Sequence, residues 1–302
     1  MTEWKVETTR GVVGAIGLML TILLVDVNLI WLAASRPLTI GTFLVSLAVI
    51  SSLGFLGLLG YWLYGLRHAR YLLDRNQLII QWGATEQIIP TGQIQRVVSG
   101  EEVEGQIHFY GGMWPGHWVG YGDLPEIGPA LFYATTPPQQ QIYIVTPVMT
   151  YGISPTEPEK FVASLRKRLE MGPTQIVELS SRRPAVMEWP LWYDRLGWVL
   201  LVAGVGLLLL LIGWLCFHFH SLPWVIALHF DANGTPDRLG PRWQIFILPL
   251  IGLLTWLFNG ILGGIFYRQK QERVISYVLW GGAVWVQLLA WVAAVGLIGI
   301  GN

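Results

Sequence analysis

The residues best suited to chemistry crowd into one stretch, Leu222-Pro-Trp-Val-Ile-Ala-Leu-His-Phe-Asp-Ala-Asn-Gly-Thr-Pro-Asp-Arg238, with His218, His220 and Arg242 close by in sequence. Imidazole and carboxylate groups such as His229, Asp231 and Asp237 coordinate divalent metals or pass protons. A metal would need three of them within about 2 Å of the ion, and no H-E-x-x-H spacing on a helix enforces that convergence. Asn233-Gly234 and Pro236-Asp237 are strong turn formers. Three uses therefore stand open. His229 and Asp237 brace the loop against its own backbone, the use short polar turns most favour. Alternatively, His229, Phe230, Gly234, Pro236 and Asp237 recognise a ligand or peptide, or His229, Asp231 and Asp237 hold a metal.

Two other places invite attention. Gly100–Pro129 contains eight glycines together with Phe109, Tyr110, Trp114, Trp118 and Tyr121, and so long a loop in a compact domain is usually functional. Trp114 and Trp118 either dip into lipid headgroups or cover a partner's apolar surface, or they cap an open end of the domain. Asp26 is an ionisable group inside an apolar run, which is a functional hypothesis by default. It lies roughly 22 Å into its run and Gln287 roughly 20 Å into another, at about 1.5 Å per residue. The two could meet at similar depth; otherwise the carboxylate lies outward near Arg36.

Those residues need a scaffold, and composition says which kind. The 302 residues are 53% hydrophobic but only 13% charged, with zero formal net charge. A soluble domain carries about 25% charged residues, so a wholly water-exposed globule is excluded, as is disorder. Zero net charge excludes a nucleic-acid partner, which requires a basic surplus. The single Cys216 excludes an internal disulfide framework and multi-cysteine metal sites.

Five runs are long enough for a hydrocarbon core of about 30 Å: Gly11–Ala34, Ile40–Leu66, Leu196–Phe217, Ile245–Tyr267 and Val274–Ile300. Trp and Tyr cluster at their ends, as an interfacial belt requires. Flanks bearing Lys5, Arg10, Arg67, Arg70, Arg75, Arg182, Arg183, Arg195, Arg268, Lys270 and Arg273 alternate with flanks bearing only Arg36, Arg238 and Arg242. Basic flanks stay inside, which predicts a cytoplasmic N-terminus and 67–194 region and an outside C-terminus. Glycines at 11/14/17, 54/57/60 and 260/264 let helix backbones approach, either within one bundle or between copies.

Between the second and third runs the texture changes. Short alternating segments at 70–75, 77–83, 86–90, 93–98, 130–135, 141–146 and 149–154 read as strands. An amphipathic helix follows from Ser154-Pro155-Thr156-Glu157, with Ser or Thr as its cap and Phe161, Val162, Leu165 and Leu169 on one face. Strands closed by one such helix have the layout of a pleckstrin-homology (PH) barrel. Tyr71-Leu-Leu-Asp-Arg-Asn-Gln-Leu-Ile-Ile-Gln-Trp-Gly83, Gly112-Met-Trp-Pro-Gly-His-Trp-Val-Gly120 and Tyr151-Gly-Ile-Ser-Pro155 resemble bacterial membrane-anchored PH domains over about 67–169. Inositol-lipid binding would need a basic cluster in the first hairpin, which offers Arg75 beside Asp74. Pro223, His229, Phe230, Gly234, Pro236 and Asp237 resemble the H-F-x-x-x-G-x-P-D loop of a bacterial membrane domain of unknown function, over about 198–299. That domain also occurs in immunity proteins protecting sporulating cells from their own toxin.

The reading is an α+β membrane protein, a five-helix transmembrane bundle with an inserted PH-like β-barrel plus C-terminal helix. It divides into a membrane hairpin (1–66), the PH-like domain (67–170), a linker (171–195) and a three-helix membrane domain (196–302) with an external loop at 218–243. No hydrolase, nucleotide or dinucleotide motif is present. The expected role is sensing, scaffolding or protection against membrane-active peptides in a prokaryotic inner membrane, without catalysis or cofactor. The bilayer and a peptide or membrane-protein partner are the expected associates, with a homo-oligomer allowed. The alternatives are a small transporter using Asp26, Asn28, Asn259 and Gln287, and a metalloenzyme built on the His/Asp loop.

Overall fold

The computed structural model describes residues 1–185, 189–230, 236–269 and 272–299. Five of its helices are long and apolar enough to cross a membrane: α1 (Thr9–Ala34), α2 (Ile40–Arg67), α4 (Arg195–His218), α5 (Ile247–Tyr267) and α6 (Arg273–Gly299). A sixth, α3 (Pro158–Met171), is short and amphipathic. The protein is therefore a multi-pass membrane protein of mixed α and β structure. The chain forms two compact units, residues 1–25 with 52–184 and residues 26–51 with 185–302, so α1 and α2 each contribute one end to each unit. This division cuts across the membrane hairpin expected at 1–66.

The first unit holds two sheets. One is antiparallel, ordered β1 (Thr2–Lys5), β2 (Arg70–Leu73), β3 (Gln77–Trp82), β4 (Thr85–Pro90) and β11 (Ser180–Arg182). The other contains β5 (Arg96–Ser99), β9 (Ile142–Val145), β10 (Thr150–Ile153), β8 (Gly128–Ala134), β7 (His117–Leu124) and β6 (His108–Trp114) in that spatial order. The expected closed barrel does not form. Its would-be seam is taken: β11 occupies the outer edge of β4, while β5 pairs with β9 after the chain turns through Thr91–Gln93. Alternating inward residues supply the core, with Tyr71, Leu73, Leu78, Ile80, Ile89, Ile144 and Ile153 fully buried against Phe161 and Leu165 of α3. The Tyr71 hydroxyl staples the sheets together, donating to the Tyr133 carbonyl at 2.6 Å and accepting from the Ser154 N–H at 3.0 Å.

Helix α3 starts at Pro158, whose missing N–H costs nothing there, with Glu157 in the cap position and no side-chain cap bond. The expected Ser or Thr cap is absent because both candidates are engaged elsewhere: Ser154 bonds Thr135, and Thr156 donates to the Lys5 carbonyl. At its other end Arg75 donates to the Met171 and Gly172 carbonyls, both at 2.8 Å. The basic group at the turn of the β2–β3 hairpin is thus committed to closing a helix C-terminus.

The largest departure from expectation is 100–129. It folds as the β6–β7 hairpin, paired from His108↔Asp123 to Trp114↔His117. Gly111 and Gly120 face each other across the strands, and a Cβ on either would overlap the backbone opposite. In the second unit, α4, α5 and α6 pack together by seating large rings on glycines. A Cβ at Gly204 would meet the Trp256 ring, and one at Gly263 the Trp280 ring. Trp256 and Trp291 donate to the α4 carbonyls of Leu201 and Leu207 at 3.1 and 3.0 Å. The expected small-residue contacts are only partly used: nothing lies near a Cβ at Gly17, Gly54, Gly57, Gly60 or Gly260.

Candidate functional site

In the first unit, the feet of α1 and α2 sit directly on the β6–β7 hairpin and the β3–β4 turn. The hairpin turns at Pro115-Gly116, where Gly116 has φ +89°, a conformation only glycine adopts freely. The Gly116 carbonyl oxygen lies so close to Gly11 that neither position admits a side chain. The Trp114 indole donates to the Gly11 carbonyl at 3.1 Å. Gly65 of α2 lies against Trp82 and Gly83 (φ +61°) of the β3–β4 turn.

His117 is enclosed where these elements meet. It is fully buried, stacked on Trp114 with ring centroids 3.8 Å apart, and flanked by Trp62 at 6.2 Å and Trp82 at 6.0 Å. Neither ring nitrogen has a hydrogen-bond partner among the described residues. Desolvation disfavours the imidazolium and pulls the His117 pKa down to about 4, so the ring is neutral near pH 7. Trp114 and Trp118 are half-buried; Trp118 meets Phe109 edge-on at 5.3 Å. Both Trp rings also line a groove of about 1020 Å³ with Glu7, Thr9, Arg10, Met113 and Pro137. Trp114 and Trp118 are therefore fixed groove walls of a paired hairpin rather than members of a free loop.

In the second unit, β12 (Val225–Phe230) and β13 (Pro236–Pro241) form a bulged hairpin. His229 Nδ1 and Asp237 Oδ1 lie 2.7 Å apart, with the two side chains 66% and 48% exposed. They bond each other. Pro236 begins β13 opposite Phe230. Asp231 and Gly234 lie outside the described residues. Among the described residues no group of three His, Cys, Asp or Glu converges on a metal-sized site. His218 Nδ1 instead lies 3.0 Å from the Trp214 carbonyl oxygen. Arg242 clamps the hairpin base, with its guanidinium over Phe219 at 4.6 Å and Trp224 at 4.2 Å. It also donates to the Phe219 and Leu222 carbonyls.

Of the polar residues in spans, Asp26 and Gln287 are both buried, at 5% and 0% exposure. Gln287 Nε2 donates to the Gly252 carbonyl at 2.8 Å, and its Oε1 has no hydrogen-bond partner among the described residues. The amide therefore ties α6 to α5. Sequence reading gave no site role to His117, Trp62, Trp82, Glu7 or Arg10. The only local signal was Trp114-Pro-Gly-His117, a turn-forming dipeptide bracketed by rings.

A family model described as a bacterial PH domain matches residues 69–169, and one described as a domain of unknown function (DUF1648) matches 206–253. The chain thus carries a PH-like domain followed by a membrane domain of unknown function. No curated protein and no solved structure matches it.

Proposed function

We propose that this protein is a recognition device without catalysis, set in a prokaryotic plasma membrane, that serves sensing, scaffolding or protection against membrane-active peptides. The PH-like unit faces the cytoplasm and the β12–β13 hairpin faces outward; the alternating Lys and Arg flanks support this sidedness. The observation that carries the reading is the seating of α1 and α2 on the β6–β7 hairpin and the β3–β4 turn. A module needing only an anchor is served by a flexible linker. Here Gly11 against Gly116, and Gly65 against Gly83, leave no room for one. A shift of either span must therefore move the hairpin, and a ligand that binds one arrangement of the hairpin better than another biases the spans. Commitment of Arg75 to the α3 carbonyls removes the basic group an inositol lipid would need and argues for another class of ligand.

Photoreactive residues placed separately at Trp118 and Phe230 in native membranes test the reading. We expect a discrete protein or peptide adduct at one or both positions, identified by mass. Capture of lipid alone at Trp118 and of nothing at Phe230 would overturn a protein or peptide partner.

A further inference from the structure

The groove beside α1 has an unusual pairing of charges for its place. Its rim carries one carboxylate, Glu7, and one guanidinium, Arg10, on a wall that is otherwise largely apolar and aromatic: Met113, Trp114, Trp118 and Pro137. Thr9 and Arg10 open α1, and the apolar run begins at the next residue. The groove therefore lies where hydrocarbon gives way to headgroups, the level at which Trp side chains settle. Glu7 and Arg10 are both exposed, and no ion pair joins them. The Glu7 carboxylate accepts the Thr9 N–H at 3.2 Å, which holds it at the groove's edge; the Thr9 hydroxyl first, then this N–H and the Arg10 charge, keep its pKa below the usual carboxylate value.

We infer that this groove binds the headgroup of an aminophospholipid, with the phosphate on Arg10 and the primary ammonium between Glu7 and the tryptophan faces. A purely anionic headgroup would meet Glu7, whose carboxylate also occupies the helix start that would otherwise attract a phosphate. A zwitterion with a phosphate and an ammonium a few bonds apart satisfies both charges. Indole faces favour a cation, and the apolar wall accommodates the glycerol and first methylenes. A choline headgroup keeps the charge but has no N–H to donate to Glu7, so the site selects the primary amine. This inference goes beyond the partner reading and does not depend on it.

The test is native mass spectrometry of the full-length, delipidated protein titrated with phosphatidylethanolamine, phosphatidylcholine or phosphatidylglycerol. We expect the ethanolamine lipid to be retained about three-fold more strongly than either competitor, the scale of one solvent-screened ion pair. Glu7→Gln keeps an oxygen for the Thr9 N–H, so α1 stays capped; it should lower ethanolamine retention to the choline level. Arg10→Gln should weaken all three lipids. Equal retention of the three by the wild-type protein would overturn the assignment, as would an ethanolamine preference that survives Glu7→Gln. Because the wild-type comparison stands alone, a variant that failed to fold would not rescue the proposal.

Discussion

Two hairpins in this protein each carry a histidine, and their surroundings give the two imidazoles opposite characters. His117 on β7 is fully buried, stacked on an indole and without a hydrogen-bond partner among the described residues. His229 on β12 is largely exposed and paired with Asp237 at 2.7 Å. The first hairpin carries the feet of two membrane helices, so water is excluded and the ring serves as packing. The second has one solvent-facing side, so its ring is free to be polar. The residue type alone predicts neither; the lesson is that a histidine's use is set by what seats upon its strand.

The comparison can be broken most forcefully at the turn of the buried hairpin. Gly116→Val places a side chain at φ +89° and into the Gly11 backbone. It should cost on the order of 4 kcal/mol, read as a loss of folded protein or a large drop in the melting temperature in detergent. The matching change in the other unit, Gly240→Ala, would meet only the ends of the Gln244 and Leu228 side chains and should cost far less.

Acid sharpens the contrast next. With the His117 pKa at about 4 in the folded protein against about 6.5 unfolded, the unfolded chain binds the proton first. The stability associated with the neutral ring is complete above about pH 6.5 and declines as pH falls toward 4, by about 3 kcal/mol in total. Melting curves should show this slope in the wild-type protein and a much flatter one in His117→Phe. Equal slopes would mean that the ring is hydrated in solution.

The smallest effect belongs to the exposed pair. Asp237→Asn should change stability by less than about 1 kcal/mol, as screened surface pairs do, while shifting the His229 imidazole resonances in NMR. A loss of several kcal/mol would show the β12–β13 hairpin to be held by this contact rather than by Arg242.

The spans could be read from sequence almost to the residue because a run of about 20 apolar residues has few other fates. The first three strands of the 67–169 region were legible for a related reason: Leu73, Leu78, Ile80 and Ile89 alternate with less buried neighbours. Hairpin β6–β7 was hidden because Gly111, Gly112, Gly120 and Gly122 remove the alternation that signals a strand; these glycines are there because the strands press together. Thr2–Lys5 is too short to announce itself and pairs only because Arg70–Leu73 is brought beside it. The candidate sites divide in the same way. His229 and Asp237 are neighbours in sequence and could be named together, whereas Arg10 and Trp118 are joined only by the fold.

The pairing of β1 with β2 carries a topological obligation. Residues 2–5 and 70–73 share a ladder, so they must end on the same face of the bilayer. The intervening chain therefore crosses an even number of times, which its two apolar helices satisfy. During synthesis the opening strand has to wait, unzipped, until both crossings are made and its mate emerges. Residues 2–5 are thus among the last of the first unit to find their place.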